Sequence, residues 1–414
     1  MKLTYSDIGN LYGMSDNFMS ETRCEWETHE EIDRERIEEA ICYIMNRIDL
    51  LRFEVIRKEE GFAYRELAPH EWQKKTDEEG WDVYGSSQWE LRVKGNKFCA
   101  MCGHHLADGY SGGLFIMSII TRYFEDSQET NTALERMIRR FYTHREGLPV
   151  LQVIKEPPHE NISEQSYPVH AIKTQYLTEP GNFLKYSIEV PAEQVRKTAA
   201  FFGVKEYVFL SGLLGEAVRQ ADVCEKNTTI PFSVPVNARM MVPKSILLSN
   251  NAVANVDISY PGEDSFQENL HQITKQCEHN ITREFVEMQL YQREMLVKRI
   301  EDMNLSYGVK RRMYHKIAAP YMENRGVFVL SYNGRLAIPR QVSERLRSIS
   351  FWAVDTAYPI LAEVVEINGI MNIGIMSRLS NHRVEECFVS SMRSLGLAAK
   401  GVEAGSYQCR KLEF

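Results

Sequence analysis

No stretch of this sequence is long and apolar enough for a bilayer. A membrane helix takes roughly 20 consecutive apolar residues, whereas the longest candidate, Tyr207 to Leu214, stops at Gly215-Glu216. No membrane span is expected. The first residues, Met1-Lys2-Leu3-Thr4-Tyr5-Ser6-Asp7, turn polar before the apolar region of an export signal could form. Positive charge is in deficit as well: 49 Lys and Arg face 57 Asp and Glu, a net charge of −8. Phosphate backbones need clustered Lys and Arg, so no nucleic-acid partner is expected. The eight cysteines are scattered without a regular framework, which fits a reducing, cytoplasmic setting. Cys99 and Cys102 form one C-x-x-C, but no second pair completes a four-ligand set. Their odd offset sends them to opposite faces of a strand, so they read as core residues and no metal is expected. No period of about 20–50 residues recurs, and nothing is of low complexity.

What is present is an ordinary globular composition on a long chain. Hydrophobic residues make up 43% and charged residues 26% of 414. That length exceeds one ordinary core and implies two domains. Asp33 to Asn46 carries Ile37, Ala40, Ile41 and Ile44 at helical spacing, and Leu51 to Ile56 alternates as a half-buried strand. Lys97 to Met101 reads as a buried strand, Ser111 to Phe124 as a buried helix, and Thr132 to Tyr142 as another helix. The polar, proline-bearing Glu156 to Ser163 is the best linker. It divides the chain into domains 1–160 and 161–414. Beyond it, Thr174 to Val190 reads as strands, and Pro191 opens a helix. Val208 to Gln220 is expected as a helix and Ile230 to Val236 as a strand. Ser265 to Ile300 suggests a long, interrupted surface helix with a solvated charged face.

The most informative segment runs from Cys102 through Gly103-His104-His105-Leu106-Ala107-Asp108-Gly109 to Gly113, between the buried strand and the buried helix. Histidine is the side chain that most readily exchanges a proton near neutrality. His104 stands four residues before Asp108-Gly109, where Asp can pin the turn and Gly lets the backbone bend close to the imidazole. If strand alternation continues, His104 and His105 point apart, so His104, His105 and Asp108 make a poor metal chelate. Ser111 follows without a G-x-S-x-G elbow, so a serine hydrolase is not read.

His104 to Gly109 resembles the HHxxxDG motif of the CoA-dependent acyltransferase superfamily. That superfamily includes chloramphenicol acetyltransferases, condensation domains, plant BAHD acyltransferases and alcohol or wax-ester acyltransferases. The first His of the family pair falls on Gly103, a departure, while the HxxxDG core is intact. Three more segments carry the resemblance. Arg47 to Phe53 is similar to RHExLRTxF. Val234-Pro235-Val236-Asn237-Ala238-Arg239, followed by Asn250 to Asn255, is similar to the PVNxR…GNF region. Phe328 to Gly334 resembles a late strand and turn. No DFGWG is present, and no adenylation or carrier segment accompanies the motif.

The resemblance implies an α/β (α+β) fold of two chloramphenicol-acetyltransferase-like subdomains, each a mixed sheet with packed helices, with an active-site tunnel between them. It implies acyl transfer from acyl-CoA or a carrier-bound phosphopantetheine thioester, used as co-substrate rather than as a resident cofactor. The acceptor is a small molecule bearing a hydroxyl or amine, and an acyl-carrier protein is an expected partner. In this reading His104 is the general base and Asp108 a structural carboxylate paired with Arg239. Gly109 offers an oxyanion N–H. Ser331 and Tyr332 are weaker oxyanion candidates, and Asn251 and Asn255 are placed at the tunnel. A monomer is expected. A non-catalytic docking module of the same fold is the alternative; Gly103 in place of the first His slightly favours it, and the intact His104 and Asp108-Gly109 argue against it.

Overall fold

The computed structural model describes residues 3–14, 20–48, 52–68, 71, 75–86, 88–124, 127–142, 148–155, 172–225, 229–248, 251–262, 265–322, 326–355 and 358–410. The linker expected at Glu156 to Ser163, the middle of the Arg47 to Phe53 segment and Asn250 lie outside the described residues.

In chain order the first part contains α1 (Tyr5–Gly13), β1 (Glu21–Thr28), α2 (Arg34–Arg47), β2 (Phe53–Arg57), β3 (Phe62–Glu66) and β4 (Lys75–Thr76). There follow β5 (Asp82–Gly85), β6 (Trp89–Lys94), β7 (Lys97–Gly103), α3 (Gly109–Tyr123), α4 (Gln128–Tyr142), β8 (Leu148–Pro149) and α5 (Val150–Val153). The second part runs through β9 (Asn182–Pro191), α6 (Ala192–Phe201), α7 (Glu206–Gln220), β10 (Ile230–Asn237), β11 (Ile246–Leu247) and β12 (Val253–Tyr260). It continues with α8 (Phe266–Asn280), α9 (Arg283–Glu301), α10 (Tyr307–Met322), β13 (Phe328–Arg335), α11 (Arg340–Ser343) and β14 (Leu346–Val354). It closes with β15 (Ile360–Ile367), β16 (Ile370–Ser377), α12 (Arg383–Ser394) and β17 (Lys400–Gln408).

Two large sheets organise these elements, and the fold is mixed α/β. The first is antiparallel, in the order β14-β1-β7-β6-β5-β4. The second is mixed, in the order β12-β10-β13-β15-β16-β9-β17, with β10, β13 and β15 parallel. The first sheet therefore takes β14 from late in the chain. Its core joins Trp26, Phe98, Ala100 and Cys102 to α2, α3 and α4, and includes Phe351, Val365 and Ile367. The second sheet buries Phe232, Phe328, Leu330 and Val364 under α6, α7, α8 and α12. Its other face carries Val329 and Leu361, which meet Trp352 and Val354 of β14 along the seam between the sheets.

Sequence determines much of this locally. β7 is buried at every position from Phe98 to Gly103, as a strand covered on both faces must be. α3 lies close on β1 and β14 because it presents Gly112 and Gly113. A Cβ at Gly113 would stand 3.3 Å from the Phe351 ring, and one at Gly112 3.5 Å from Thr22. Pro235 has no N–H for a ladder. Pairing of β10 with β13 stops at Ser233, and β10 continues along β12 alone to Asn237.

Three expectations need correction. Strand alternation does not reach the histidines: β7 ends at Gly103, and Leu106 N–H closes a turn onto the Gly103 carbonyl. Thr174 to Val190 is not all strand. A single turn of 3₁₀ helix occupies Thr174–Tyr176, and β9 starts at Asn182 after the Pro180-Gly181 turn, where Gly181 takes φ +90°. Ser265 to Ile300 is interrupted as expected, where Thr282 caps α9 through the Phe285 N–H, but its face differs from the expectation. Its charges are not all solvated, since Glu294 is buried.

Candidate active site

The site grows from the end of β7. The strand delivers His104 into the turn, where its N–H donates to the Ser20 carbonyl at 2.7 Å. Asp108 then caps α3, one carboxylate oxygen accepting from the Ser111 N–H at 2.8 Å. The other oxygen accepts from Arg239 at 2.7 Å and from the Ala252 N–H at 2.8 Å. Arg239 also donates to the Ser111 hydroxyl at 2.9 Å and lies over the Tyr110 ring. Asp108 is fully buried and the Arg239 side chain is 8% exposed. This is a desolvated ion pair with its remaining hydrogen-bonding capacity engaged, the condition under which a buried pair is tolerated. It joins the helix after the histidine turn to the segments after β10 and before β12.

Asn251 makes the second cross-seam contact. Its Nδ2 lies 2.6 Å from His104 Nδ1 and 2.7 Å from the His104 carbonyl oxygen. Amide orientation and imidazole tautomer are one variable here. An amide nitrogen facing Nδ1 leaves the ring proton on Nε2. The same amide nitrogen also donates to the His104 carbonyl, which only accepts, so this is the orientation the contacts support. His104 is partly accessible, whereas His105 is 2% exposed. His105 Nε2 meets Gln88 Oε1 at 3.0 Å inside the first half. Burial, followed by the fields of Arg410 and His104, pushes the His105 pKa down to about 3.

Gly109 opens α3, and an α-helix leaves its first amides without partners inside the helix. A Cβ on Gly109 would stand 3.8 Å from the side-chain oxygen of Asn333. Asn333 donates to Glu363 at 2.8 Å, and Ser331 donates to the same carboxylate. Ser331 therefore belongs to a polar group on the seam face. Tyr332 packs against the helix-covered core of the second sheet. The carbonyl of Asn255 accepts from Gln289 of α9 at 2.8 Å.

His104, Asp108, Gly109, Arg239 and Asn251 are thus gathered at one place, with Ser331 nearby through Asn333. Sequence reasoning missed Asn333 and Glu363. The available signal was a lone carboxylate inside the apolar run from Ile360 to Val365. Burial pushes the thiols of Cys99 and Cys102 up to about 12, so neither is a ready nucleophile. Among the described residues no group of three His, Cys, Asp or Glu is arranged to hold a metal ion. No described helix is long and apolar enough to cross a membrane.

No family model matches the chain, and no curated protein matches it in sequence. Solved structures match it in fold. Trichothecene 15-O-acetyltransferase from Fusarium sporotrichioides aligns with a TM-score of 0.60 at 12% identity, over 95% of this chain and 94% of that one. The wax ester synthase/diacylglycerol acyltransferase of Marinobacter aquaeolei VT8 aligns with a TM-score of 0.51 at 10% identity, over 96% and 100%. The epimerization domain from the third module of tyrocidine synthetase B aligns with a TM-score of 0.51 at 10% identity, over 94% and 92%. The chain has the fold of the CoA-dependent acyltransferases and condensation domains.

Proposed function

We propose that this chain, built on a fold shared with acyltransferases and condensation-type domains, is itself an acyltransferase. It moves an acyl group from a pantetheine thioester, on CoA or on a carrier protein, to a hydroxyl or amine acceptor. The observation that carries the reading is the partly open His104 at the seam, tied to the second half through Asn251 and followed by the Asp108–Arg239 pair. His104 Nε2 takes the acceptor proton as the acceptor attacks the thioester carbon. The imidazolium then protonates the departing thiolate. This role needs the ring proton on Nδ1 and Asn251 released from the ring, since turning the amide in place would set its oxygen 2.7 Å from the His104 carbonyl oxygen. The Gly109 N–H is the candidate donor to the oxyanion. With the neighbouring thiols held protonated, transfer is direct, through a ternary complex. A seam closed to water would spare the thioester from hydrolysis.

Incubating the protein with a panel of acyl-CoA donors and hydroxyl or amine acceptors, while following free thiol, tests the proposal. Acceptor-dependent thiol release is the expected result. Silence across the panel, with carrier-bound donors included, rejects it. Intact mass after donor alone should show no acyl adduct. A non-catalytic docking module is the second reading, and one observation favours it: the Asn251 nitrogen facing Nδ1 leaves the proton on Nε2 and blocks base catalysis.

A further inference from the structure

Glu363 is a half-buried carboxylate to which the chemistry above gives no task. It sits on β15 beside Ser331 of β13 and opposite Gly374 of β16. The face is set by its neighbours. A Cβ at Gly374 would strike the Phe351 backbone of β14, and Leu361, two residues before Glu363, packs on Trp352 and Val354. The Glu363 side chain therefore looks into the seam. Its partner Asn333 faces Gly109, five residues after His104. Although deeply enclosed, Glu363 keeps part of its surface accessible.

Its partners are chemically unusual for the seam. Three carboxylates there meet cations from the other half of the chain: Glu21 with Arg410 at 2.7 Å, Glu25 with Lys185 at 2.8 Å, and Asp108 with Arg239 at 2.7 Å. Glu363 receives hydrogen bonds from the neutral Asn333 and Ser331, and no cation among the described residues pairs with it. A buried carboxylate without a counter-charge is costly to keep. A cationic ligand reaching the seam would relieve that cost.

We propose that Glu363 recognises the acceptor, holding the ammonium of a primary amine and accepting its first proton. The inference rests on the acyl-transfer reading. An ammonium cannot attack a thioester, because its lone pair is occupied. One N–H bond breaks as its proton passes to the Glu363 carboxylate, giving the free amine. The amine nitrogen then bonds to the thioester carbon. The C–S bond breaks, and a second N–H proton travels through His104 to the leaving thiolate. The proton on Glu363 returns to solvent. An alcohol needs one base, whereas a protonated amine needs two. Burial raises the Glu363 pKa to about 7 against the hydrogen bonds from Ser331 and Asn333, a value that suits taking up and releasing a proton.

The test compares matched acceptors, hexylamine with hexanol and phenethylamine with phenethyl alcohol, in the wild type and in Glu363→Gln. In the wild type the amines should be the better acceptors. The variant should lower kcat/KM for the amines by about ten- to a hundredfold, the worth of a hydrogen bond to a charged group. Its loss of kcat/KM for the alcohols should be about tenfold smaller than for the amines. Glu363→Asp, which keeps the charge but withdraws it by one methylene, should fall between. Equal losses for both classes, or alcohols preferred by the wild type, overturn the proposal. Calorimetric binding of hexylammonium separates this failure from failure of the acyl-transfer reading. If no acceptor supports transfer, weaker binding in Glu363→Gln upholds the ammonium site, and equal binding refutes it. Thermal melting should show both variants folded.

Discussion

His105 donates its Nε2–H to Gln88, whose side-chain oxygen also receives the Val55 N–H and whose amide donates to the Val55 carbonyl. This imidazole ties a strand to the histidine turn and is kept neutral by burial. Its folded pKa of about 3 lies below the ordinary histidine value of 6.5, so the unfolded chain binds a proton that the folded one refuses. The resulting stability is complete above the unfolded value and is lost as pH falls toward about 3. At pH 5 the loss is about 2 kcal/mol. Urea titrations at pH 5 and 7.5 should show it, and the decline should be shallower in His105→Asn. Equal declines would contradict the assignment. His104→Ala should lower transfer by roughly 10²–10⁴ with the melting temperature little changed. His105→Ala should reverse that balance, costing stability more than the chemical step. An active His104→Ala variant would remove His104 from the chemistry.

At the scale of elements, α3 depends on one carboxylate for two jobs. Asp108 caps the helix with one oxygen and neutralises Arg239 with the other, so one carboxylate fixes both the helix start and its distance from the second sheet. Asp108→Asn keeps a capping oxygen but strands the guanidinium. The variant should lose roughly 3–5 kcal/mol of stability, as a buried pair does when one partner goes. Arg239→Gln should cost less when added to Asp108→Asn than alone, because the two residues share one interaction. Chemical denaturation of the two single variants and the double variant measures this. Strictly additive losses would show that the pair is not coupled. α3 also explains the run of small residues at its start. Gly112 and Gly113 let it lie on β1 and β14, which carries Gly109 to the seam.

For the whole molecule, the decisive element is β14. It pairs with β1 along its whole length, Glu21 opposite Val354 through Thr28 opposite Leu346, yet it follows β13 in the chain. The first core also takes Val342, Leu346, Ile349, Phe351, Val365 and Ile367 from the later part. A fragment of residues 1–160 therefore lacks an edge strand and part of its own core. Expressed alone, it should show no cooperative unfolding transition in urea, while the full chain should. A sharp, native-like transition in the fragment would mean that the first half is self-sufficient. The same interlocking makes the site a property of both halves, since His104, Asp108 and Gly109 face Arg239, Asn251 and Asn333 across it.

Helix α2, strand β7, helix α3 and the turn between them were legible from the sequence alone, because their signals are local. Residue period, an Asp before a buried helix and glycine next to it act within a few positions. Through family resemblance the pairing of Asp108 with Arg239, 131 residues away, was legible too. Only the tertiary structure decided the rest. That Asn251 reaches a histidine 147 residues away follows from strand order and loop closure, which no spacing encodes. That Ser331 and Tyr332 part to opposite faces follows from where β13 enters its sheet. That Glu363 stands in the seam with no cation paired to it among the described residues follows from β14, a strand of the first sheet, packing on the face of the second. A carboxylate's neighbours in space, rather than in sequence, set whether it is paired, and here the seam left one for a ligand.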